Sequence, residues 1–350
     1  MTKKIQIAST YIGGNMPIAI QSMTTTFTND IDKTLQQIDA LKKVGCNLVR
    51  VAVRHQEDAK AIAALKQKTD MPLIADIHFS SKLAIVAIEN GADKIRINPG
   101  NIGNEQEIKK VADCIKAYNI AVRVGSNSGS IEKNFLKQYG RTADALVESA
   151  LYNVHILEKY GVDSIVISVK SSSVPLTVEA YRKLAKRTEY PLHLGVTEAG
   201  TSASGIVKSS IGIGSLLLDG IGNTIRVSLA DDPVQEVLVA KRILRACGLE
   251  NNYVEVVACP TCGRCEWNCM PLAQKLEKKL MQVQKKCKVA VMGCIVNGIG
   301  EGEDSDIGIA GGKDKCIIFK GGQIERQVSL AEAEEVFFNY IDDFLKQKNE

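Results

Sequence analysis

The sequence predicts a (β/α)8 barrel, the TIM-barrel fold, followed by a small α+β domain that is rich in cysteine. Eight short β-branched runs alternate with eight amphipathic stretches over about 250 residues, which matches such a barrel in count and length. Several of the predicted helices end at a glycine, where a left-handed C-cap is favoured. The alternation stops near Leu249, and seven of the ten cysteines lie beyond that point.

The predicted elements follow one another without a gap large enough for a further domain. The eight predicted strands are Ile18–Ser22, Leu48–Val53, Leu73–His78, Lys94–Asn98, Ala121–Gly125, Ser164–Lys170, Pro191–Thr197 and Thr224–Leu229. The predicted helices are Asp30–Val44, Gln56–Lys68, Ser81–Asn90, Glu105–Tyr118, Thr142–Tyr160, Thr177–Lys186, Ser204–Leu218 and Pro233–Cys247. A doubly wound sheet is the alternative, but it usually has fewer strands and a phosphate-binding fingerprint after the first one. That fingerprint is absent.

A polar stretch at 250–252 predicts a boundary, so we expect a barrel domain over 1–250 and a second domain over 251–350. The predicted strands of the second domain are Tyr253–Ala258, Lys288–Met292, Ile307–Ala310 and Cys316–Phe319, with a hairpin turn at Gly321-Gly322. Helices are predicted from about Leu272 to Lys286 and over Ala331–Lys346.

The composition is that of an ordinary soluble globular protein, with 45% apolar and 24% charged residues. No apolar run is long enough for a membrane span, and the amino terminus is too mixed for a signal peptide. We therefore expect a cytoplasmic protein whose cysteines are reduced or ligated. The net charge of +4 is mild, and neither a basic block nor a pattern of stacking aromatics indicates nucleic-acid binding.

Basic residues stand inside the apolar strands, where an unpaired charge is costly. In a parallel barrel the chemistry lies at the carboxyl ends of the strands. Internal ion pairs could explain any one of these cations, but Asp76 and Glu198 are the only obvious counterions. A bound polyanion, most simply a diphosphate, would supply the missing negative charge, and arginine suits it through bidentate contacts. The cations are Arg50, Arg96, Arg123, Lys170 and Arg226.

Four cysteines fall within eleven residues at the C-x2-C-x2-C-x3-C spacing of a bacterial ferredoxin. They are Cys259, Cys262, Cys265 and Cys269, and a fifth, Cys294, follows in a glycine-rich turn. Without secretory features this density indicates metal or cluster chemistry rather than disulfides. The spacing favours iron–sulfur, and structural zinc is the competing interpretation, although zinc more often uses two separated C-x-x-C pairs.

Taken together, the motifs resemble those of the 4-hydroxy-3-methylbut-2-enyl diphosphate synthase family, in order and along nearly the whole chain. They are 21–24 (QSMT), 75–79 (ADIHF), 96–103 (RINPGNIG), 192–200 (LHLGVTEAG), 226–229 (RVSL), the cysteine run, and 293–301 (GCIVNGIGE). The resemblance implies a TIM barrel followed by a 4Fe–4S domain, and an oxidoreductase of isoprenoid precursor biosynthesis. The implied reaction opens 2-C-methyl-D-erythritol 2,4-cyclodiphosphate reductively and expels water, with two electrons from flavodoxin or ferredoxin.

The resemblance also implies roles for single residues. The cluster ligands would be Cys259, Cys262, Cys294 and Glu301, which conflicts with the local ferredoxin pattern, where Cys265 is the third ligand. Cys265 and Cys269 stand where the family does not require cysteine, so their role stays open. The diphosphate would be bound by Arg50, Arg96, Asn98, Arg123, Asn127, Lys170, Arg226 and Ser228.

Glu198 is the candidate proton donor or charge stabiliser for the expelled oxygen, and Asp76 and His55 are weaker candidates in the same pocket. The resemblance further implies a homodimer in which the cluster domain of one subunit caps the barrel of the other.

Overall fold

The computed structural model describes residues 1–259, 262–295, 300 and 304–346. It divides into two compact units, Met1–Leu249 and Glu250–Glu350, which are described separately.

Eight parallel strands form the barrel of the first unit, as predicted. They are β3 (Ala19–Met23), β4 (Leu48–Ala52), β5 (Leu73–Asp76), β6 (Lys94–Arg96), β7 (Ala121–Asn127), β8 (Ile165–Lys170), β9 (His193–Leu194) and β10 (Thr224–Ile225). Neighbouring strands follow the order β8-β7-β6-β5-β4-β3-β10-β9. A parallel bridge between Ile167 and Leu192 joins β8 to the segment that enters β9, so the sheet closes on itself.

Helices connect the strands on the outside of the barrel. They are α1 (Ile31–Lys43), α2 (Gln56–Lys68), α3 (Ser81–Glu89), α4 (Glu105–Ala117), α5 (Lys133–Tyr139), α6 (Ala143–Glu158), α7 (Val174–Ala185), α8 (Ser202–Leu218) and α9 (Pro233–Ala246). Side chains cap several amino termini; Asn104 and Glu107, for example, form a reciprocal capping box on α4. The eight predicted helices are present, and the short α5 is an addition that the sequence analysis missed.

A short antiparallel hairpin, β1 (Ile5–Ile7) and β2 (Thr10–Ile12), precedes the barrel. Its isoleucines pack in one buried cluster with residues at the amino-terminal ends of the strands. That cluster comprises Ile5, Ile7, Ile12, Ala19, Leu48, Ile74, Ala121 and Val166. The hairpin therefore supplies an apolar floor at the amino-terminal end, which the sequence analysis missed because each strand has only three residues.

The described residues of the second unit include a five-stranded mixed sheet and two long helices. Its strands are β11 (Val254–Ala258), β12 (Cys287–Met292), β13 (Ile307–Gly311), β14 (Lys315–Lys320) and β15 (Gln323–Ser329). The first three are parallel, and the last two continue the sheet antiparallel. The helices α10 (Met270–Leu280) and α11 (Ala333–Lys346) contribute Leu276 and Phe337 to the main core with Ile309.

Across the part of the chain that the structure describes, no helix is long and apolar enough to cross a membrane.

Candidate active site

Six basic side chains come from the barrel strands or the residues just after them. Most are buried, and Arg96 and Arg226 are only 12% and 18% exposed. Strand register places Asp76, Arg96 and Arg123 side by side on β5, β6 and β7. The six are Arg50, Lys94, Arg96, Arg123, Lys170 and Arg226; Lys94 was not among the residues predicted from the sequence.

The Asp76 carboxylate lies at the centre of an ion-pair network. Arg96 Nη1 is 3.2 Å from its Oδ1, and Arg50 Nε is 3.7 Å from its Oδ2. His78 Nε2 lies 3.6 Å from Oδ2. Burial alone would raise the pKa of Asp76, but Arg50, His78 and Arg96 outweigh it and hold the pKa well below its usual range. Asp76 is therefore an ionised anchor for two of the arginines.

Glu236, in the first turn of α9, supplies a second buried carboxylate. Ser22 Oγ donates to its Oε2 at 3.1 Å, the Leu229 backbone N–H donates to Oε1 at 3.0 Å, and Arg226 Nε lies 3.6 Å from Oε2. The sequence analysis missed Glu236, because an acidic residue in the first turn of a helix ordinarily faces solvent and complements the helix dipole. Its burial and its contact with Arg226 show that it is a counterion inside the barrel.

Two carboxylates are fewer than the basic side chains, even when Lys94 is left out of the count. Among the described residues, neither Arg123 nor Lys170 has a carboxylate within ion-pair distance, and Arg123 Nη1 has no hydrogen-bond partner. Burial, followed by repulsion from neighbouring arginines, lowers the pKa of both groups well below the usual value. The same effects lower the pKa of Arg50 to about 10, although Asp76 opposes them. This surplus of buried positive charge is suited to a polyanion.

The other predicted contacts to the diphosphate lie around this cluster. Asn98 is buried, and its Oδ1 has no partner. Asn127 and Ser228 are half-buried at the carboxyl ends of their strands. At the neighbouring Gly195, a Cβ would lie 2.7 Å from both Lys170 Nζ and the Arg226 carbonyl oxygen. Only glycine leaves room for the Lys170 ammonium there.

Glu198 lies in the loop that follows β9, and its side chain is exposed. Its backbone has a φ of 52°, the left-handed conformation that a non-glycine residue adopts at a cost. Among the described contacts, no ion pair joins Glu198 to a strand cation, and the carboxylate that pairs with Arg226 is that of Glu236. His55, another predicted candidate, is an exposed N-cap residue of α2.

Two of the predicted cluster ligands lie at one edge of the second sheet. Cys259 directly follows β11, and Cys294 follows the neighbouring parallel strand β12 by two residues. The Gly293 backbone N–H donates to Cys259 Sγ at 3.0 Å. Cys294, the next residue after Gly293, is buried. Soft thiolates at adjoining strand ends suit an iron–sulfur cluster. Glu301 lies outside the described residues.

The remaining predicted ligand, Cys262, is exposed. Its pKa is lowered because the backbone and side chain of Arg264 hydrogen-bond to the sulfur. In the described part of the chain, no three Cys, His, Asp or Glu side chains stand together at metal-binding distances. The donor types fit a cluster. Of the three predicted sulfur ligands, Cys259 and Cys294 lie at adjoining strand ends, and Cys262 lies in the exposed loop.

Cys265 and Cys269 lie on the same side of the second unit. A Cβ on Gly293 would be 2.6 Å from Cys265 Sγ and 3.3 Å from Cys259 Sγ, so these two sulfurs are neighbours. Cys265 Sγ donates to the Trp267 carbonyl oxygen at 3.0 Å. Burial, with Cys265 and Cys259 nearby, raises the pKa of Cys269 to about 11. Cys269 is therefore a buried thiol in the core, whereas Cys265 lies against a predicted ligand.

Trp267 attaches this loop to the sheet. Its Nε1 donates to the Met292 carbonyl oxygen at 2.7 Å. Its ring covers Gly311, where a Cβ would come within 1.9 Å of the indole. The cysteine loop is thus held against the ends of β12 and β13 by packing that does not involve a metal.

Each of the two units matches a known protein-family domain. The GcpE TIM-barrel domain matches residues 2–241, and the GcpE protein C-terminal domain matches residues 255–343. A protein of Fusobacterium nucleatum is 50% identical over the whole chain and 99% of its own length. Proteins of Caldanaerobacter subterraneus and Thermotoga maritima are 52% and 50% identical, each over 99% of this chain and 98% and 99% of their own lengths. All three are named 4-hydroxy-3-methylbut-2-en-1-yl diphosphate synthase (flavodoxin).

Solved structures resemble part of the chain in fold alone. The type I 3-dehydroquinate dehydratase of Clostridium difficile is 14% identical, with a TM-score of 0.51, over 71% of this chain and 97% of its own. The dihydropteroate synthase of Yersinia pestis is 13% identical, with a TM-score of 0.50, over 70% and 98%.

Proposed function

The chain belongs to the GcpE family, and on that premise we propose that it is a 4-hydroxy-3-methylbut-2-enyl diphosphate synthase. Its substrate would be 2-C-methyl-D-erythritol 2,4-cyclodiphosphate. Two electrons and two protons enter, the ring C–O bond to a phosphate breaks with its oxygen kept on phosphorus, and a hydroxyl group of the substrate leaves as water. The observation that carries this proposal is the surplus of buried cations at the carboxyl ends of the barrel strands, in a chain about half identical to named synthases along its full length.

The strand cations bind the diphosphate. Arg123 and Lys170 lack carboxylate partners among the described residues, so they have the most to gain from an anion. Arg50 and Arg96 are held by Asp76, and Arg226 is held by Glu236, which fixes the geometry of these side chains before the ligand arrives. Asn98, Asn127 and Ser228 add neutral donors around the charged groups.

The 4Fe–4S cluster would be held by Cys259, Cys262, Cys294 and Glu301. When bound, it supplies electrons and Lewis acidity next to a carboxylate ligand that is harder and more readily displaced than a thiolate. Support for this set comes from Cys259 and Cys294 at adjoining strand ends and from the family match. The alternative set with Cys265 keeps some support, because that sulfur lies beside Cys259.

Glu198 is proposed to protonate the oxygen that leaves, or to stabilise its charge. The support is its place after β9, at the carboxyl end of the barrel, and its left-handed backbone. A strained, non-glycine conformation is retained more often where the side chain has a task than where it is only structural. Asp76 is less suited to give a proton, because its arginine partners hold it ionised.

Flavodoxin is proposed as the electron donor, as in the names of the relatives, with ferredoxin as the alternative. A homodimer and a cytoplasmic location are also proposed. Helix α8 exposes Ile206, Val207, Ile211 and Leu218, and large exposed apolar side chains on one helix favour a covered surface.

Anaerobic purification tests the proposal. The expected product is a brown protein whose visible thiolate-to-iron absorption changes when the cyclic diphosphate is added without an electron donor. Colourless protein with one bound zinc would support the competing zinc-ribbon interpretation and contradict the proposed function. Turnover without any electron donor would instead indicate a non-reductive barrel enzyme.

A further inference from the structure

Lys94 is the first residue of β6, and it is not among the residues predicted to bind the diphosphate. Its side chain is fully buried, and its Nζ has no hydrogen-bond partner among the described residues. In register, it neighbours Ile74 on β5 and Ala121 on β7, both of which belong to the apolar floor. Lys94 is therefore enclosed between that floor and the strand cations.

The surroundings of Lys94 contain positive charge and unpartnered polar atoms. Arg123 and Arg50 are the charges that act on it most strongly. His193 is also fully buried, and its pKa is lowered by burial and by the charges of Lys170, Arg123 and Lys94. Its Nε2 has no partner among the described residues, and its Nδ1 lies 2.6 Å from Thr224 Oγ1. No described carboxylate lies within ion-pair distance of Lys94 Nζ. An ammonium here is opposed by burial and by the charges of Arg123 and Arg50.

Burial first, and then Arg123 and Arg50, hold the pKa of Lys94 well below its usual range. A diphosphate bound to the strand cations would offset the repulsion that Arg123 and Arg50 exert on Lys94 Nζ. Binding of the anion and protonation of the amine would therefore favour each other, which is a thermodynamic linkage between two ligands of the same barrel.

We propose that Lys94 is a positioning residue that takes up a proton when the cyclic diphosphate binds to the strand cations. The inference rests on the proposed function, because it needs that site to bind a diphosphate. The titratable and charged groups around it come from the strands and from two helices packed against them. They are Arg50 on β4, Asp76 on β5, with His78 after it, Arg96 on β6, Arg123 on β7, Lys170 on β8, Tyr181 on α7, His193 on β9, Arg226 after β10 and Glu236 on α9.

The linkage has a defined sign. Where Lys94 is neutral in the free protein and protonated in the complex, the affinity for the cyclic diphosphate falls about tenfold for each unit of rising pH. Below the pKa of the free state the amine is already charged, and affinity no longer depends on it. Each phosphorus of the ligand carries one ester oxygen, one anhydride oxygen and a single strongly acidic hydroxyl, so the ligand itself does not titrate in this range.

Isothermal titration calorimetry measures the proton directly. Anaerobic holoenzyme without an electron donor is titrated with the cyclic diphosphate at about pH 8, in buffers of different ionisation enthalpy, and the slope gives the protons taken up. We expect about half to one proton per site for the wild type. Lys94→Met and Lys94→Arg should both lose this uptake, because methionine carries no charge and arginine keeps its own.

Lys94→Arg also separates proton uptake from charge. It should retain binding if it folds, whereas Lys94→Met should bind about tenfold more weakly. The matched control is Lys109→Met on the exposed face of α4, which should show wild-type uptake.

Two outcomes would overturn the inference: binding without proton uptake in the wild type, or uptake that persists in both Lys94 variants. The second outcome would assign the proton to another buried group whose pKa is lowered, Lys170 or His193. If the wild-type holoenzyme does not bind the cyclic diphosphate at all, the proposed function is wrong rather than the role of Lys94.

Discussion

The barrel carries its charged side chains on strands, whereas the second unit carries most of its candidate ligands on loops after strands. Asp76, Arg96 and Arg123 are adjacent because strand register makes them so. Cys262 and Cys265, by contrast, depend on a loop that Trp267 attaches to the sheet. In the barrel, holding the cations close together costs electrostatic free energy, because they repel one another. In the second unit the position of the cysteine loop depends on packing, above all that of Trp267 against the sheet.

This difference predicts that substitutions in the two regions change different measurable properties. A change in the barrel should alter ligand affinity, turnover or folding stability and leave bound iron intact. A change among the ligands should alter iron content and leave the barrel folded. Five substitutions test that separation. The effects on turnover and affinity come first, in decreasing size, and are followed by an effect on stability and by a variant that should leave the protein unchanged.

The largest effect is expected for Cys294→Ser. Loss of a buried thiolate at the end of β12 should lower turnover by at least about a hundredfold. Iron and acid-labile sulfide per chain should fall with it, while the circular dichroism of the barrel is retained. Cys316→Ala, in the core strand β14, is the control and should keep its iron. Full iron content in Cys294→Ser would remove it from the ligand set.

Glu198→Gln should separate binding from chemistry. Removing the carboxyl proton should reduce turnover by about a hundredfold or more. The Kd of the cyclic diphosphate should stay within about twofold, because no described ion pair joins Glu198 to the strand cations. Steady-state kinetics and calorimetry measure the two quantities. Glu179→Gln, on the surface of α7, is the control, and wild-type turnover in Glu198→Gln would show that Glu198 has no role in the reaction.

Arg123→Met should weaken ligand binding and nothing in the second unit. Hydrogen bonds to a charged group contribute about 1.5–3 kcal/mol, so the Kd of the cyclic diphosphate should rise about 10- to 100-fold. Iron content should stay at the wild-type value. Arg187→Met removes an arginine paired with Glu148 near the surface and should leave the Kd unchanged. An unaltered Kd in Arg123→Met would contradict its assignment to the diphosphate.

Asp76→Asn should destabilise the barrel by about 3–5 kcal/mol, because it leaves buried arginines unpaired. Thermal unfolding measures this at neutral pH. The folded-state pKa of Asp76 lies below the unfolded value of about 4, so its contribution is full above that pH. As pH falls further, toward the folded pKa, the difference between wild type and variant should shrink.

The control for that titration is Asp70→Asn, which breaks an exposed pair with Lys42. It should hardly move the unfolding temperature at any pH. A constant difference between wild type and Asp76→Asn across the acid range would show that the loss comes from altered packing rather than from charge.

The smallest effect is expected for Cys265→Ser. Its sulfur donates to the Trp267 carbonyl oxygen, a contact that a serine hydroxyl can partly replace. Iron content and the visible spectrum should match the wild type. Loss of iron in this variant alone would favour the ferredoxin-like ligand set and break the division between packed and ligating cysteines.

Much of the fold was predictable from local pattern. All eight barrel strands and the eight helices predicted between them are present, because an apolar run bounded by turn residues needs no tertiary information to be recognised. The hairpin Ile5–Ile12 was missed because strands of three residues carry too little periodicity. Helix α5 was missed for a similar reason, since its seven residues include none that is fully buried.

The sequence by itself determined the barrel, the strand cations, the cysteine run and the family to which the motifs belong, because each is written in residue types at short spacing. Only the tertiary structure decided how the charges are balanced. Glu236 is ten residues from Arg226 in the chain and acts as its partner only because α9 packs beside β3. Lys94 became a candidate only when burial removed its solvent and left it without a partner. Burial and pairing are properties of contacts between distant segments, and no local pattern records them.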